Sequence, residues 1–176
     1  MTVTDIPAST TTGERADLLE SLAKHRFFFT FTVQGLTDAQ ARLRPTASEL
    51  TLGGLVKHVT AAERMWGDFI VGGAAAFPAF DESTYASWAA EFVMGPQETL
   101  AGLLAGYAAA AERTDDLVRG LPSLDVAHPL PDVPWFTPGS QWSARRVLLH
   151  LIAETAQHAG HADVLRETID GQKSMG

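Results

Sequence analysis

Apolar residues recur at three- and four-residue intervals along most of the chain, and that period fixes the fold class. A 3.6-residue repeat buries one stripe of a helix, whereas a half-buried strand needs strict alternation, and no alternating run long enough for a credible sheet occurs. Over residues 14–34, Leu18, Leu22, His25, Phe29 and Val33 share one face, after a Thr11-x-x-Glu14 capping-box pattern and before Gly35. A short helical turn is expected after Thr37-x-x-Gln40, stopped by Pro45. Thr51 caps a second long helix whose stripe runs through Leu55, Val59, Trp66 and Ile70 to Gly72-Gly73. A third element reads in two parts, 84–93 and 97–119, broken by Gly95-Pro96. The last helix starts near Ser143 and ends before Gly171, with Val147, Leu148, Leu151, Ile152, Thr155, Ala162 and Leu165 inward.

Between 121 and 141, Pro122, Pro129, Pro131, Pro134 and Pro138 are too dense for a helix or a central strand. A structureless loop of about twenty residues inside a compact domain calls for a functional reason or disorder, and Trp135 with Phe136 argue against disorder. The expected fold is therefore all-α, a four-helix bundle with a long Pro-rich crossover loop before the last helix. Its expected organisation is a flexible N-terminus over 1–12, one domain over 13–171 and a tail over 172–176.

Composition decides which chemistry such a bundle can carry. The 176 residues include no cysteine, which removes disulfides, thiolate-ligated metals and thiol nucleophiles, so a metal site must use His, Asp and Glu. With 13 Lys and Arg against 21 Asp and Glu, the net charge of −8 argues against nucleic-acid partners. The basic residues cluster only as Arg42 with Arg44 and Arg145 with Arg146. No apolar run approaches the roughly 18 residues of a membrane span, and the Thr-rich start is not a signal peptide, so a cytoplasmic protein without membrane association is expected.

The histidines concentrate on the last helix. With His150 set at 0° and about 100° per residue, Glu154 falls near 40°, His158 near 80° and His161 near 20°, with His158 in the middle of the apolar arc. A carboxylate facing a bundle core is costly unless paired, hydrogen-bonded or metal-bound. Glu154 with His158, or His158 with His161, are close enough to share an ion, and His58 on the second helix can supply a third ligand. Two imidazoles and a carboxylate suit Zn²⁺, with Ni²⁺ or Fe²⁺ as alternatives. The bland readings are a surface i, i+4 pair for Glu154 and His158, a core or pocket histidine for His25, a solvated His128 and a structural or pocket-lining His150. Trp66, Trp88, Trp135 and Trp142 are first of all core fillers, although Trp135 and Phe136 can instead cover a substrate pocket. Gly160, inside the helix, marks expected close packing. No phosphate loop, G-x-S-x-G elbow or HExxH occurs.

Residues 142–167, WSARRVLLHLIAETAQHAGHADVLRE, resemble the last helix of the DinB-like superfamily, and residues 52–66, LGGLVKHVTAAERMW, resemble its second helix. The nearest branch resembles mycothiol S-transferases and, more distantly, mycothiol-dependent maleylpyruvate isomerase. The resemblance implies a metal triad of His58, Glu154 and His158, with His161 a further ligand, an outer partner or a proton acceptor, and a homodimer is compatible with it. It implies a divalent metal, zinc first, that activates a low-molecular-weight thiol such as mycothiol for attack on a small electrophile, as in detoxification. Proton movement falls to His161 or His25. Contact of Trp135 and Phe136 with the bound cosubstrate is expected from their place on the Pro-rich loop and is not carried by the resemblance. The alternatives are a metal-dependent hydrolase activating water at the same site and a non-catalytic stress protein that binds a metal or small ligand.

Overall fold

In the computed structural model, which describes residues 12–79, 84, 88 and 90–174, capping chemistry sets most of the helix boundaries. Helix α1 (Glu14–Val33) starts after Gly13, which has φ 69° and offers no side-chain cap; Thr11 of the expected capping box lies outside the described residues. The short turn expected after Thr37 is α2 (Asp38–Ala41), and it carries a capping box: the Gln40 amide donates to the Thr37 hydroxyl (3.2 Å) and the Thr37 amide donates to Gln40 Oε1 (3.0 Å). Helix α3 (Leu52–Gly72) is capped by the Thr51 hydroxyl, which accepts from the Gly54 amide at 3.0 Å. The expected 84–93 helix lies partly outside the described residues, but Thr84, Trp88, Ala90 and Glu91 are helical. Helix α4 (Leu100–Gly120) begins at 100 rather than 97 because the Thr99 hydroxyl, accepting from the Gly102 amide, places the N-cap there. Helix α5 (Ala144–Asp170) runs from the Ser143 cap to Gly171, left-handed at φ 81°.

The long helices form a ring in which α3 packs on α4 and on α5, α5 packs on α1, and α1 closes on α4. Helices α1 and α3, and likewise α4 and α5, are therefore diagonal partners. Both the 34–51 and the 121–143 connections cross the bundle, where periodicity suggested one such crossover. Leu22, Phe29, Leu55, Val59, Phe69, Leu148 and Leu151 fill the interior. On the α1–α3 diagonal, buried Arg26 grips buried Glu63 through two hydrogen bonds and Asp115 of α4 through a third, at 2.7 Å. Burial drives the Glu63 carboxyl upward in pKa while Arg26 opposes it.

The Pro-rich connection is not structureless. Strand β1 (Ala127–Pro129) pairs antiparallel with β2 (Gln141–Ser143), His128 opposite Trp142. The Ala144 and Arg145 amides donate to the Val126 and Leu124 carbonyls (2.8 and 3.0 Å), pinning the ribbon to the start of α5. Strands of three residues carry no usable alternation, and Pro129 sits at a strand end, where its missing N–H is tolerated. His128, expected to be solvated, is half-buried: its Nε2 lies 3.1 Å from the Ile70 carbonyl oxygen and its ring packs edge-on to Phe69. Among the described residues no helix is long and apolar enough to cross a membrane.

Candidate metal centre

Adjacent helices α3 and α5 bring His58, Glu154 and His158 together, one ligand atom of each lying within 4.8 Å of the others. Glu154 Oε1 stands 3.0 Å from His58 Nε2 and 3.2 Å from His158 Nε2. Two donors bound at about 2.0–2.1 Å to one tetrahedral ion sit about 3.3 Å apart, so the spacing fits a shared ion. His158 is buried, and His58 and Glu154 are half-buried. Hydrogen bonds to His158 and then to His58 hold the Glu154 carboxyl far below the usual carboxylate range. Among the described residues, the ion-pair partners of Glu154 are both imidazoles, with no Lys or Arg between them. An all-nitrogen-and-oxygen set with one ionised carboxylate suits a borderline divalent cation such as zinc.

The imidazoles are held from behind. Phe92 stacks on His58, ring centroids 4.2 Å apart and planes at 22°. That contact depends on Gly53 and Gly54, one turn earlier on α3. A Cβ on Gly54 would penetrate the Phe92 carbonyl, and one on Gly53 would press into Met94. His58 Nδ1 is buried without a hydrogen-bond partner, and Glu91 Oε2 lies 4.0 Å from it, a spacing that one water spans. His158 Nδ1 lies 3.3 Å from Nδ1 of exposed His161. The periodicity gave no warning of Glu91 or Phe92. The glycine pair in the first turn of a long helix was the one available signal of close approach.

One cavity opens on His58, and a second adjoins that cavity. The larger, about 440 Å³, is lined by His58, Arg64, Met65, Asp68, Trp88 and Glu91 among others. The second, about 300 Å³, shares Met65 and Trp88 with the first and is otherwise walled by Trp66, Phe77, Trp135, Phe136, Trp142 and His150. Trp135 and Phe136 thus lie in a cavity wall. His150 meets Trp66 and Trp142 edge-on, and burial lowers its pKa. Helix α1 contributes nothing to either lining, so His25, half-buried on it, stands outside both cavities. Gly160 is exposed, and a Cβ there would meet nothing within 4 Å; the close packing expected of it does not occur.

Against this geometry, the profile of the family described as mycothiol-S-transferase matches residues 17–171. The chain belongs to the mycothiol-S-transferase family. A comparison with curated protein sequences gave no match. Two solved structures share the DinB-like fold of this family member. One is a conserved protein from Enterococcus faecalis, with TM-score 0.67 and 16% identity, covering 92% of this chain and 100% of its own. The other is YfiT from Bacillus subtilis, described as a probable metal-dependent hydrolase with an unusual four-helix bundle topology, with TM-score 0.64 and 16% identity, covering 92% and 91%. At that identity the likeness speaks for the fold alone, and the two crossing connections described above are consistent with it.

Proposed function

We propose that this mycothiol-S-transferase family member is a metal-dependent transferase that delivers a low-molecular-weight thiol, mycothiol, to a small electrophile. The observation that carries the reading is the convergence of His58 Nε2, His158 Nε2 and the Glu154 carboxylate beside a cavity large enough for a small molecule. Those three residues would hold a divalent ion, with zinc the first choice and nickel or iron the alternatives, whose charge stabilises a thiolate at neutral pH in a chain with no cysteine of its own. Arg64, Asp68 and Glu91 in the larger cavity offer polar contacts to the body of a hydroxyl- and amide-bearing thiol. His161 orients His158 through the Nδ1 contact and, being exposed, can pass a proton to solvent. Phe92 fixes the His58 ring and shields one face of it from water.

The test is elemental analysis of untagged protein, followed by turnover of a fluorogenic alkylating probe with and without mycothiol. One equivalent of metal, lost in His58→Ala with His158→Ala, and a rate that vanishes without the thiol are expected. Stoichiometric metal in the double variant would refute the site. The same donor set also suits water activation. Ester or amide cleavage that ignores added thiol would favour that hydrolytic reading.

A further inference from the structure

All four tryptophans of the chain line the second cavity. Trp66 and Trp142 stack nearly parallel, centroids 4.7 Å apart and planes at 15°, while Trp88 and Trp135 meet at 5.4 Å in a T. Phe136 stands edge-on to both Trp66 and Trp142. No Asp, Glu, Lys or Arg appears in the lining among the described residues. Core filling alone does not need this arrangement, because Trp135 is 49% exposed at the mouth and a void of about 300 Å³ remains between the rings.

The cavity is tied to the metal cluster from two sides. His150 lies one helical turn before Glu154 on α5, about 6 Å along the axis. Met65 and Trp88 belong to both linings, so a molecule seated among the tryptophans presents one edge to the His58 cavity.

Charge selects the occupant. Aromatic faces carry negative quadrupole potential and disfavour an anion. A cation would be favoured by those faces, but the Arg146 guanidinium already lies 4.0 Å over the Trp142 ring, and among the described residues no carboxylate lines the void to offset its charge. Flat, uncharged molecules remain.

We propose that this tryptophan-lined cavity is the electrophile subsite and that its substrate class is uncharged, planar aromatic electrophiles, the thiol entering from the polar His58 cavity. The assignment rests on the transferase reading for the word electrophile, although occupancy of the cavity can be measured without it. In the reaction the thiolate sulfur bonds to the ring carbon, the carbon–halogen bond breaks with its electron pair leaving as halide, and the thiol proton passes to solvent.

Two measurements test this. Tryptophan emission of the full-length protein as purified is followed during titration with 1,3-dinitrobenzene, which has the shape of such an electrophile without a leaving group. Saturable quenching is expected. Trp135→Ala and Phe136→Ala each weaken it about tenfold, the scale of one lost aromatic contact, and Trp135→Phe restores most of it. The carboxylate analogue 3,5-dinitrobenzoate binds more weakly. Linear, unsaturable quenching, or equal affinity in the alanine variants, overturns the subsite.

Metal-loaded protein with mycothiol is then assayed on 1-chloro-2,4-dinitrobenzene and on iodoacetamide. Trp135→Ala raises KM for the aromatic halide by a larger factor than for the aliphatic one; an equal loss on both overturns the assignment. Saturable binding with no thiol-dependent turnover of either compound would keep the aromatic subsite and sink the transferase reading.

Discussion

The same substitution, glycine to alanine, should have opposite effects at two positions of this protein. Gly160 and Gly54 both lie within α-helices, where alanine is favoured over glycine by about 1 kcal/mol. At Gly160 the new Cβ meets nothing within 4 Å, so Gly160→Ala should keep most of that gain. For a chain of this size that corresponds to a rise of about 2–4 °C in Tm. At Gly54 the Cβ would enter the Phe92 carbonyl and lie 2.9 Å from the Thr51 hydroxyl that caps the helix. Relieving such overpacking costs about 1–3 kcal/mol, which meets or exceeds the propensity gain. Because propensity largely cancels between the two variants, the difference in their unfolding free energies isolates the steric cost, about 1–3 kcal/mol with Gly54→Ala the less stable. Urea unfolding at constant m-value, with thermal melts alongside, measures it. Pushing the 91–94 segment outward should also unstack Phe92 from His58 and lower the rate of the proposed thiol transfer in Gly54→Ala alone. Equal or greater stability of Gly54→Ala relative to Gly160→Ala would refute the close approach, and with it the account of how His58 is fixed.

Three further outcomes are expected. Arg26→Met leaves Glu63 buried without its cation and should cost about 3–5 kcal/mol, largely recovered by adding Glu63→Leu, as read from urea unfolding. Burial lowers the His150 pKa in the folded state, so the unfolded chain takes up the proton first; stability therefore falls as pH drops below the unperturbed imidazole value of about 6.5, and His150→Gln flattens that part of the melting-temperature profile between pH 7.5 and 5.5. His161→Ala should weaken metal retention about 10–100-fold in competition with a chelator, because His158 loses the partner on its Nδ1, whereas unchanged affinity would reduce His161 to a surface residue.

The fold class could be read from the chain because a 3.6-residue stripe survives in each long helix. The caps at Thr37, Thr51 and Ser143 could be read too, because a hydroxyl three residues ahead of an amide is a local signal. What escaped was non-local. The β1–β2 ribbon is defined by pairing across a loop, with strands too short to show a period. The Arg26–Glu63 pair spans the bundle diagonal; each residue falls on the apolar stripe of its own helix, but which opposite charge meets it is set by how α1 and α3 pack. Trp135 and Phe136 could be singled out as aromatic residues in a Pro-rich loop, but only the folded chain sets them opposite Trp66 and Trp88. Inward placement of Glu154 and His158 followed from helical angles, whereas Glu91 and Phe92 belong to a segment whose position is set by packing against Gly53 and Gly54.

The β1–β2 ribbon divides labour along the chain. It fastens both ends of the 130–140 stretch to α5, so the tip bearing Trp135 and Phe136 can change length or composition without tension reaching Glu154 and His158. The hairpin tip, rather than the whole aromatic wall, is thereby separated from the candidate metal centre. Substitutions at this tip are therefore expected to reshape one side of the aromatic cavity while leaving the positions of Glu154 and His158 unchanged.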